Sequence, residues 1–561
     1  MMDASVDFSK EMEALTKDLV GIRSVNGTAG EREVAEFILR WLRSFPYFTA
    51  HPERAFAQEI PGDGLRRENV FAYVHGTKEA GTGPRKTLVW HGHIDTVGTE
   101  DFGALEPWAN DPDKLLEKLL AEPDLPDAVR EDLATGDWMP GRGACDMKSG
   151  DAVFLVLLTY LSEHTDAFSG TIVLSLNCVE ENEHTGILHG LDVLDELKER
   201  EGLEYLFAIN NDYICPLYDG DPHRYLYAGA VGKLLPCVYI HGCETHVGQC
   251  FEGFDASVAA AEVVRRINYN TALCDGYRGE YTLPPSVLKL ADLKPAYNVQ
   301  TAQEAWTYFN YFVHAASVAD ILAALKGIVK DSMDEIAGRI DAEAEKYAKL
   351  AQQPVMPPNF QPEVMSYDEL VAAVREKRAA AEAKETALDD ELAAMAHKLR
   401  AKGRDLREIS LAIVRELVRE LHPTRPLAIL FFAAPYCPAN TLRQEVAGEK
   451  KLYDQLESLV SSFGEETGEQ YKILQFFPSL SDSSYLKIDD TPESVATLYQ
   501  NLPGGKTVSP VPTERIRSLS IPAVDFGCYG KDAHKWTERM YKPYTFGVLP
   551  KLILKAVAEF L

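Results

Sequence analysis

The length and composition of the chain exclude several classes of protein. Its 561 residues have a mass of 62.4 kDa, enough for roughly two to four domains with large buried cores. The formal net charge of −29 disfavours binding to nucleic acid or to an anionic membrane. No apolar run approaches the roughly 18 residues that span a bilayer. Nine cysteines without paired spacing are typical of reduced thiols, so we expect a cytoplasmic protein.

The first third of the chain alternates predicted helices and strands. Apolar residues recur at helical spacing in residues 12–20, 31–42, 151–161 and 191–198, and short apolar strands are predicted at 69–74, 87–90, 171–176 and 205–209. This alternation predicts an α/β fold, in which a largely parallel, twisted sheet is flanked by helices.

The pattern changes near Gly229. Strands at 233–240 and 306–313 and helices at 256–268 and 319–328 predict a separate, small α+β domain. Residues 331–421 are rich in Ala, Glu, Lys and Arg, with prolines at 354, 357, 358 and 362, and predict long solvated helices. Strand-like runs return at 427–432, 472–477 and 521–526, so we expect the α/β sheet to resume. The predicted division is a catalytic domain of residues 1–228 and 422–561, a second domain of 229–330, and a charged helical insertion of 331–421.

Histidines and acidic residues follow the carboxyl ends of four predicted strands. The first strand runs into His91, His93 and Asp95, the second into Glu180 and Glu181, the third into Asp212, and the strand at 521–526 toward His534. Carboxyl ends of parallel strands converge on one crevice, so these side chains are expected to form one polar cluster. His, Asp and Glu without cysteine thiolates suit a hard or borderline divalent ion such as zinc, manganese or cobalt.

Three local patterns sharpen this prediction. Glycines on both sides of Asp146, between Gly141 and Gly150, allow a tightly wound loop before a helix, although an ordinary Gly-rich turn is the alternative. His93 and Asp95 point to the same side of an extended segment, so the Asp95 carboxylate can hold the tautomer of the imidazole. The adjacent Glu180 and Glu181 face opposite ways, so one can bind a metal while the other takes a proton from water; a plain charged strand end is the alternative.

In this order, the segments resemble the M20 family of metallopeptidases and amidohydrolases. The resemblance is carried by residues 92–97, 141–150, 180–181, 212 and 530–538. The long chain, the charged helices and the segment 477–482 are most similar to the branch of arginine-utilisation RocB-type proteins. The resemblance implies a zinc-exopeptidase-like catalytic domain with an inserted lid domain.

The resemblance also implies two divalent metal ions, with zinc expected and manganese or cobalt as alternatives. His93 and Asp212 would bind one ion, Glu181 and His534 the other, and Asp146 would bridge both. Asp95 would orient His93, and Glu180 would be the general base. Three carboxylate ligands leave a net positive charge on two divalent ions, which would stabilise a developing oxyanion.

The second domain would be the family's lid, which often forms a homodimer by pairing sheet edges. His246 resembles the lid histidine that contacts the transition state, and Asn298 resembles the asparagine that binds substrate; a merely structural role is the alternative for both. Residues 308–313 lack the arginine that pairs with the substrate's terminal carboxylate in many M20 exopeptidases. His184 and His189, which follow the glutamate pair, are expected to be surface or helix residues.

The sequence therefore predicts a metal-dependent hydrolase that cleaves an amide or peptide bond in a small N-acyl amino acid, dipeptide or related amide. The branch resemblance adds a link to arginine catabolism. The alternative is a non-catalytic protein that binds a metabolite or a partner and retains a vestigial metal site, with residues 331–421 as its interaction surface.

Overall fold

The computed structural model describes residues 6–78, 83–354, 356–380 and 388–561. The chain divides into two compact units. The first comprises Met1–Ala230, Asn440–Ile488 and Pro512–Leu561, and the second Val231–Ala439 and Asp489–Val511. Among the described residues, no helix combines the length and the apolar character needed to cross a membrane.

The first unit is built on an eight-stranded sheet. Its strands, in spatial order, are Ala55–Glu59, Glu68–His75, Thr171–Asn177, Arg85–His93, Leu203–Asn210, Ala523–Asp525, His223–Tyr227 and Gln470–Leu474. The third to sixth of these strands are parallel neighbours, whereas antiparallel pairs join the first three strands and the sixth to the seventh. The prediction of an α/β fold with a largely parallel sheet is confirmed, and the runs at 472–477 and 521–526 contribute strands to it.

Helices and two small sheets complete the first unit. The helices are Ser9–Gly21, Gly30–Arg43, Pro46–Ala50, Pro112–Ala121, Asp127–Ala134, Lys148–Glu163, Thr185–Glu201, Ala447–Thr467, Thr513–Leu519, Lys542–Gly547 and Leu549–Phe560. A four-stranded sheet contains Trp138–Pro140, Arg539–Tyr541, Cys528–Lys531 and Tyr213–Ile214, and a two-stranded sheet pairs Gly229–Ala230 with Asn440–Thr441.

The helix Lys148–Glu163 is part of the core of the first unit. Apolar residues lie on all of its faces, and almost its whole length is buried, as expected for a helix inside a core rather than on a surface. It packs on the strand Arg85–His93, where the rings of Trp90 and Phe154 stack with centroids 5.0 Å apart. The start of this helix and the end of this strand thereby become neighbours, and both carry predicted metal ligands.

The second unit contains a five-stranded sheet and a group of helices. The strands, in spatial order, are Ser286–Asp292, Glu304–Val313, Gly232–His241, Leu427–Cys437 and Glu363–Ser366, and Gly276–Tyr277 pairs with Glu280–Tyr281. The helices are Ala256–Ile267, Val318–Ala351, Tyr367–Ala380, Leu388–Arg400, Leu406–Leu421, Pro492–Gln500 and Gly505–Val508.

The prediction that residues 427–432 rejoin the large sheet is wrong. The strand Leu427–Cys437 instead pairs antiparallel with Gly232–His241 in the second unit. An apolar run predicts a buried strand, but its composition carries no information about which of two sheets it joins.

Candidate metal centre

The five predicted metal ligands lie at the ends of elements of the first unit. His93 ends the strand Arg85–His93, Glu181 follows Thr171–Asn177, Asp212 follows Leu203–Asn210, Asp146 directly precedes the helix Lys148–Glu163, and His534 lies between Cys528–Lys531 and Arg539–Tyr541. Three of these elements are adjacent parallel strands, so their carboxyl ends meet at one edge of the sheet.

Glycine allows the segments that carry Asp146 and Asp212 to approach each other closely. A Cβ added at Gly150 would lie 2.1 Å from the main-chain oxygen of Asn211, so no other residue fits without a shift. The Asn211 side chain, in turn, donates a hydrogen bond to the Gly150 carbonyl at 2.9 Å. The close approach predicted from the Gly-rich loop is therefore present.

Asp146 lies between two imidazoles. Its Oδ1 is 3.0 Å from Nε2 of His93, and its Oδ2 is 3.1 Å from Nε2 of His534. Glu181 Oε1 is 3.0 Å from the same nitrogen of His534. One ligand atom each of His93, Asp146 and Glu181 lies within 4.8 Å of the others. Each oxygen of Asp146 thus faces a different imidazole, as a bridging carboxylate requires.

The donor atoms fit divalent cations. Nδ1 of His93 donates a hydrogen bond to the main-chain oxygen of Asp95 at 3.1 Å, which leaves the lone pair of Nε2 for a ligand. His93 and Asp212 are almost fully buried, and a buried carboxylate such as that of Asp212 requires a compensating cation or a proton. Imidazole and carboxylate donors without thiolates are those of catalytic zinc, manganese and cobalt sites.

The cluster shifts the pKa values of its own members. Burial alone would lower the pKa of His534, but the adjacent Asp146 and Glu181 carboxylates raise it to about 11. Burial raises the pKa of Glu181 to about 7. Burial, assisted by the negative charges of Asp146 and Asp482, raises the pKa of Asp212 well above its ordinary value. A bound cation would favour the deprotonated form of each of these groups.

We therefore expect metal binding at about pH 7 to release protons and to strengthen as the pH rises. The pKa of His534 is raised from 6.5 to about 11, so at neutral pH this imidazole carries a proton that an incoming cation must displace. Well below that pKa, each displaced proton contributes up to about a tenfold gain in affinity per pH unit. Calorimetric titration in buffers of different ionisation enthalpy measures the protons released. An affinity that is constant between about pH 6 and pH 8 would contradict the expectation.

Asp95 organises the glutamate pair. Its Oδ1 accepts a hydrogen bond from the main-chain N–H of Glu180 at 2.9 Å, and its Oδ2 accepts from that of Glu181 at 3.0 Å. The Asn26 side chain donates to the same Oδ2 at 2.8 Å. The carboxylate is 3.7 Å from Nδ1 of His93, whereas the main-chain oxygen of Asp95 is within hydrogen-bonding distance. Asp95 therefore orients His93 through its backbone and the two glutamates through its side chain.

Glu180 has a neighbour that was not expected from the sequence. The expectation that His184 is a surface or helix residue is wrong, because it is buried just before the helix Thr185–Glu201 and has φ 56°. Its Nδ1 lies 3.2 Å from Oε1 of Glu180. Burial alone would raise the pKa of Glu180, but His184 lowers it to about 2. Glu180 is thus held as a carboxylate at neutral pH. His189 lies within that helix, as expected.

A buried ion pair fixes the loop that carries Asp146. Oε1 of Glu538 accepts hydrogen bonds from the main-chain N–H groups of Cys145 and Asp146 at 3.1 and 3.4 Å. Its Oε2 accepts from Nη1 of Arg142 at 2.6 Å, and both side chains are 1% exposed. Both residues lie within the motif segments 141–150 and 530–538, but nothing in the sequence indicates that residues so far apart in the chain are in contact.

Replacing Arg142 by Met should lower the free energy of unfolding by about 3–5 kcal/mol, because Glu538 would remain buried without its partner. Urea unfolding monitored by tryptophan fluorescence measures this, since every tryptophan except Trp306 belongs to the first unit. The matched control is Arg66→Met, which breaks an exposed pair with Glu59 and should cost less than about 1 kcal/mol. Equal effects of the two substitutions would contradict the prediction.

Asp482 is a further residue at this site, and it was not among the predicted ligands. One ligand atom each of His93, Asp212 and Asp482 lies within 4.8 Å of the others. An irregular segment separates Asp482 from the end of the strand Gln470–Leu474. Asp482 therefore could not be predicted from the rule that site residues directly follow the ends of parallel strands. The available signal was the segment 477–482, singled out for its branch resemblance.

The two predicted lid residues lie in the second unit. Both are exposed, on segments that run side by side: the N–H of Val247 donates to the Val299 carbonyl at 2.9 Å, and that of Thr301 to the Thr245 carbonyl at 2.9 Å. Nδ1 of His246 accepts from the N–H of Gly248, and Oδ1 of Asn298 accepts from that of Gln300. The structure thus brings these two residues onto adjacent segments of one surface.

A comparison with known protein families shows to which family the chain belongs. The model of peptidase family M20/M25/M40 matches residues 89–388, which include His93, Asp146, Glu180, Glu181 and Asp212. The chain belongs to this peptidase family. The M20 family predicted from the motifs is therefore confirmed, and with it the prediction of a metallopeptidase.

Individual relatives and a solved structure extend the similarity beyond the residues that the family model matches. Protein RocB from Bacillus subtilis (strain 168) is 38% identical over 554 residues, which cover 99% of this chain and 95% of that protein. A succinyl-diaminopimelate desuccinylase from Cupriavidus pinatubonensis (strain JMP 134 / LMG 1197) is 29% identical over 261 residues, covering 45% of this chain and 58% of the desuccinylase. The crystal structure of aminopeptidase PepT from Bacillus cereus ATCC 10987 has a TM-score of 0.51 at 13% identity, with 99% of both chains covered, and shows the same fold.

Proposed function

We propose that the protein hydrolyses an amide or peptide bond in a small N-acyl amino acid, dipeptide or related amide. The observation that carries the proposal is the arrangement around Asp146, whose two oxygens face His93 and His534 while the carboxylate of Glu180 lies on the segment of Glu181. The two imidazoles and the Asp146 carboxylate between them would hold metal. The Glu180 carboxylate, which lies next to His184 instead, would act as a separate base.

The proposed ligands are divided between two ions. His93 and Asp212 would hold one ion, Glu181 and His534 the other, and Asp146 both. Bound divalent ions would supply Lewis acidity, which polarises the scissile carbonyl and lowers the pKa of the attacking water. We propose zinc, since histidine and carboxylate donors hold catalytic zinc, with manganese or cobalt as alternatives.

Glu180 is proposed as the general base. It would accept a proton from the attacking water and deliver that proton to the nitrogen of the leaving amine, so that one water is consumed for each amide cleaved. Its low pKa keeps it deprotonated before attack. Asp95 fixes its main chain, and His184 lies within reach of its Oε1, so the carboxylate is held in one orientation.

The second unit is proposed as the lid. Its exposed His246 and Asn298 lie on adjacent segments, which supports a joint role in contacting the transition state and the substrate. The first unit would be the catalytic domain, and the charged helices of residues 331–421, which belong to the second unit, would be an insertion into this frame. We also propose a homodimer formed through the outer strand Ser286–Asp292, which exposes Leu288 and Leu290.

The substrate class follows from the site and the relatives. The strand Glu304–Val313 has no arginine, so a free terminal carboxylate would not be bound by that route. A desuccinylase among the relatives supports an N-acyl amino acid as substrate. The resemblance of the sequence motifs to the arginine-utilisation branch is the ground for proposing a place in arginine catabolism, and the unpaired cysteines are the ground for proposing the cytoplasm.

A panel of N-acyl amino acids and dipeptides, assayed for released amine, tests the proposal. We expect hydrolysis of one group of these amides by protein loaded with zinc, manganese or cobalt, and its loss after chelation. Two bound ions per chain without turnover of any amide would contradict the proposal and favour a non-catalytic binding protein.

A further inference from the structure

The carboxylate of Asp482 lies at the metal centre, although no M20 motif of this chain includes it. Its ligand atom and those of His93 and Asp212 lie within 4.8 Å of one another. Asp482 is 5% exposed and Asp212 is 1% exposed, and their carboxyl groups are in hydrogen-bonding contact. Two buried acidic side chains therefore touch beside an imidazole that is itself a predicted ligand.

The surroundings of Asp482 compensate its charge only in part. The negative charges of Glu180 and Asp146 disfavour the ionised form of Asp482, whereas its hydrogen bond with Asp212 and the imidazole of His93 favour that form. The buried carboxyl group of Asp525 also interacts with Asp482. Its Oδ2 has no hydrogen-bonding partner in the described part of the chain. A buried carboxylate oxygen without a hydrogen-bonding partner is costly, and two acids in contact need a shared proton or a cation between them, so this arrangement is suited to a cation.

The main chain holds Asp482 in this position. Nδ1 of His91 lies 3.2 Å from the side-chain amide of Asn177, which donates to it, so Nε2 carries the proton and donates to the Asp482 carbonyl at 3.3 Å. The Asn440 side chain donates to the Ser483 carbonyl at 2.9 Å. Asp482 is therefore fixed from both sides within a buried segment, as a preorganised ligand would be.

We propose that Asp482 is a ligand of the metal ion held by His93 and Asp212, in addition to the ligands that the family motifs supply. The inference rests on the proposed function, and it makes the two ion positions chemically different. One position would have a single imidazole with the carboxylates of Asp146, Asp212 and Asp482, and the other a single imidazole with two carboxylates.

This difference has a consequence for metal choice. Four carboxylate ligands balance the charge of two divalent ions, and the position with three carboxylates is rich in hard oxygen donors. Oxygen-rich sites suit manganese better than sites in which nitrogen or sulfur dominates. The position that includes Asp482 would therefore accept manganese more readily than the position of Glu181 and His534.

The first test is the affinity for Mn²⁺ and Co²⁺ of wild-type protein and of Asp482→Asn, measured by competition with a chelator. The amide keeps the size of the side chain and its ability to hydrogen-bond to Asp212, but it loses the negative charge. We expect one of two ions to bind at least about tenfold more weakly and the other to bind unchanged. The matched control, Asp219→Asn, removes a negative charge from an exposed segment and should change neither affinity.

The second test asks whether residue 482 touches the metal. In Asp482→Cys loaded with Co²⁺, a thiolate at this position would coordinate the ion and produce a sulfur-to-cobalt charge-transfer absorption absent from the wild-type protein. Ser481→Cys, at the neighbouring buried position, is the control and should not produce it. This readout is positive, so it does not depend on how well the variant catalyses.

The outcomes separate this inference from the proposed function. Wild-type protein that binds neither ion would overturn both. Wild-type protein that binds two ions and hydrolyses amides, with unchanged affinities in Asp482→Asn and no new absorption in Asp482→Cys, would overturn only the role of Asp482. Weaker binding of one ion by Asp482→Asn, together with the new absorption in Asp482→Cys, would support the role of Asp482 as a ligand.

Discussion

Replacing Glu180 by Gln is expected to lower kcat by about 10²–10⁴-fold, the usual contribution of a general acid–base residue, with both metal ions retained. The glutamine preserves the side-chain volume and the main-chain hydrogen bond to Asp95, but it cannot accept a proton from water. Steady-state kinetics on a confirmed substrate, with metal content measured on the same sample, separates loss of the base from loss of the ions.

The matched control is Glu183→Gln, which makes the same chemical change on the same segment. It should leave kcat much closer to the wild-type value than the change at Glu180 does, since Glu183 is given neither a proton-transfer nor a metal-binding role. Wild-type turnover by the Glu180 variant would contradict its assignment as the base.

Replacing Asp146 by Ala should remove both ions and, with them, activity. Its two oxygens face His93 and His534, so its loss removes a ligand from each ion and leaves two imidazoles without the carboxylate between them. Elemental analysis after dialysis measures the metal bound. The control Asp124→Ala, at an exposed turn of the same unit, should keep its metal. Retention of two ions by the Asp146 variant would show that it does not bridge them.

The proposed metal ligands could be found in the sequence because they follow a rule that depends on topology. His93, Glu181 and Asp212 follow strands whose apolar runs predict burial, and parallel neighbours place their carboxyl ends at one edge. Asp146 could be predicted from its glycine-flanked loop, since Gly150 fits where a Cβ would clash with Asn211.

Residues whose positions depend on contacts distant in sequence were not predictable. Arg142 and Glu538 form a buried pair across 396 residues, and neither the spacing nor the composition indicates that they are partners. Asp482 reaches the site through an irregular segment anchored by His91 and Asn440. The strand Leu427–Cys437 joins the second sheet because its hydrogen-bonding partner is Gly232–His241, which an apolar run alone cannot specify.

The most direct test of the central claim is the metal content per chain. It is measured by elemental analysis on wild-type protein loaded in turn with zinc, manganese and cobalt, and amide hydrolysis is assayed on the same samples. The structure predicts about two ions per chain, together with hydrolysis that chelation abolishes and added metal restores. A protein that binds no divalent ion under any of these conditions would contradict the account of this site as a two-metal hydrolase centre.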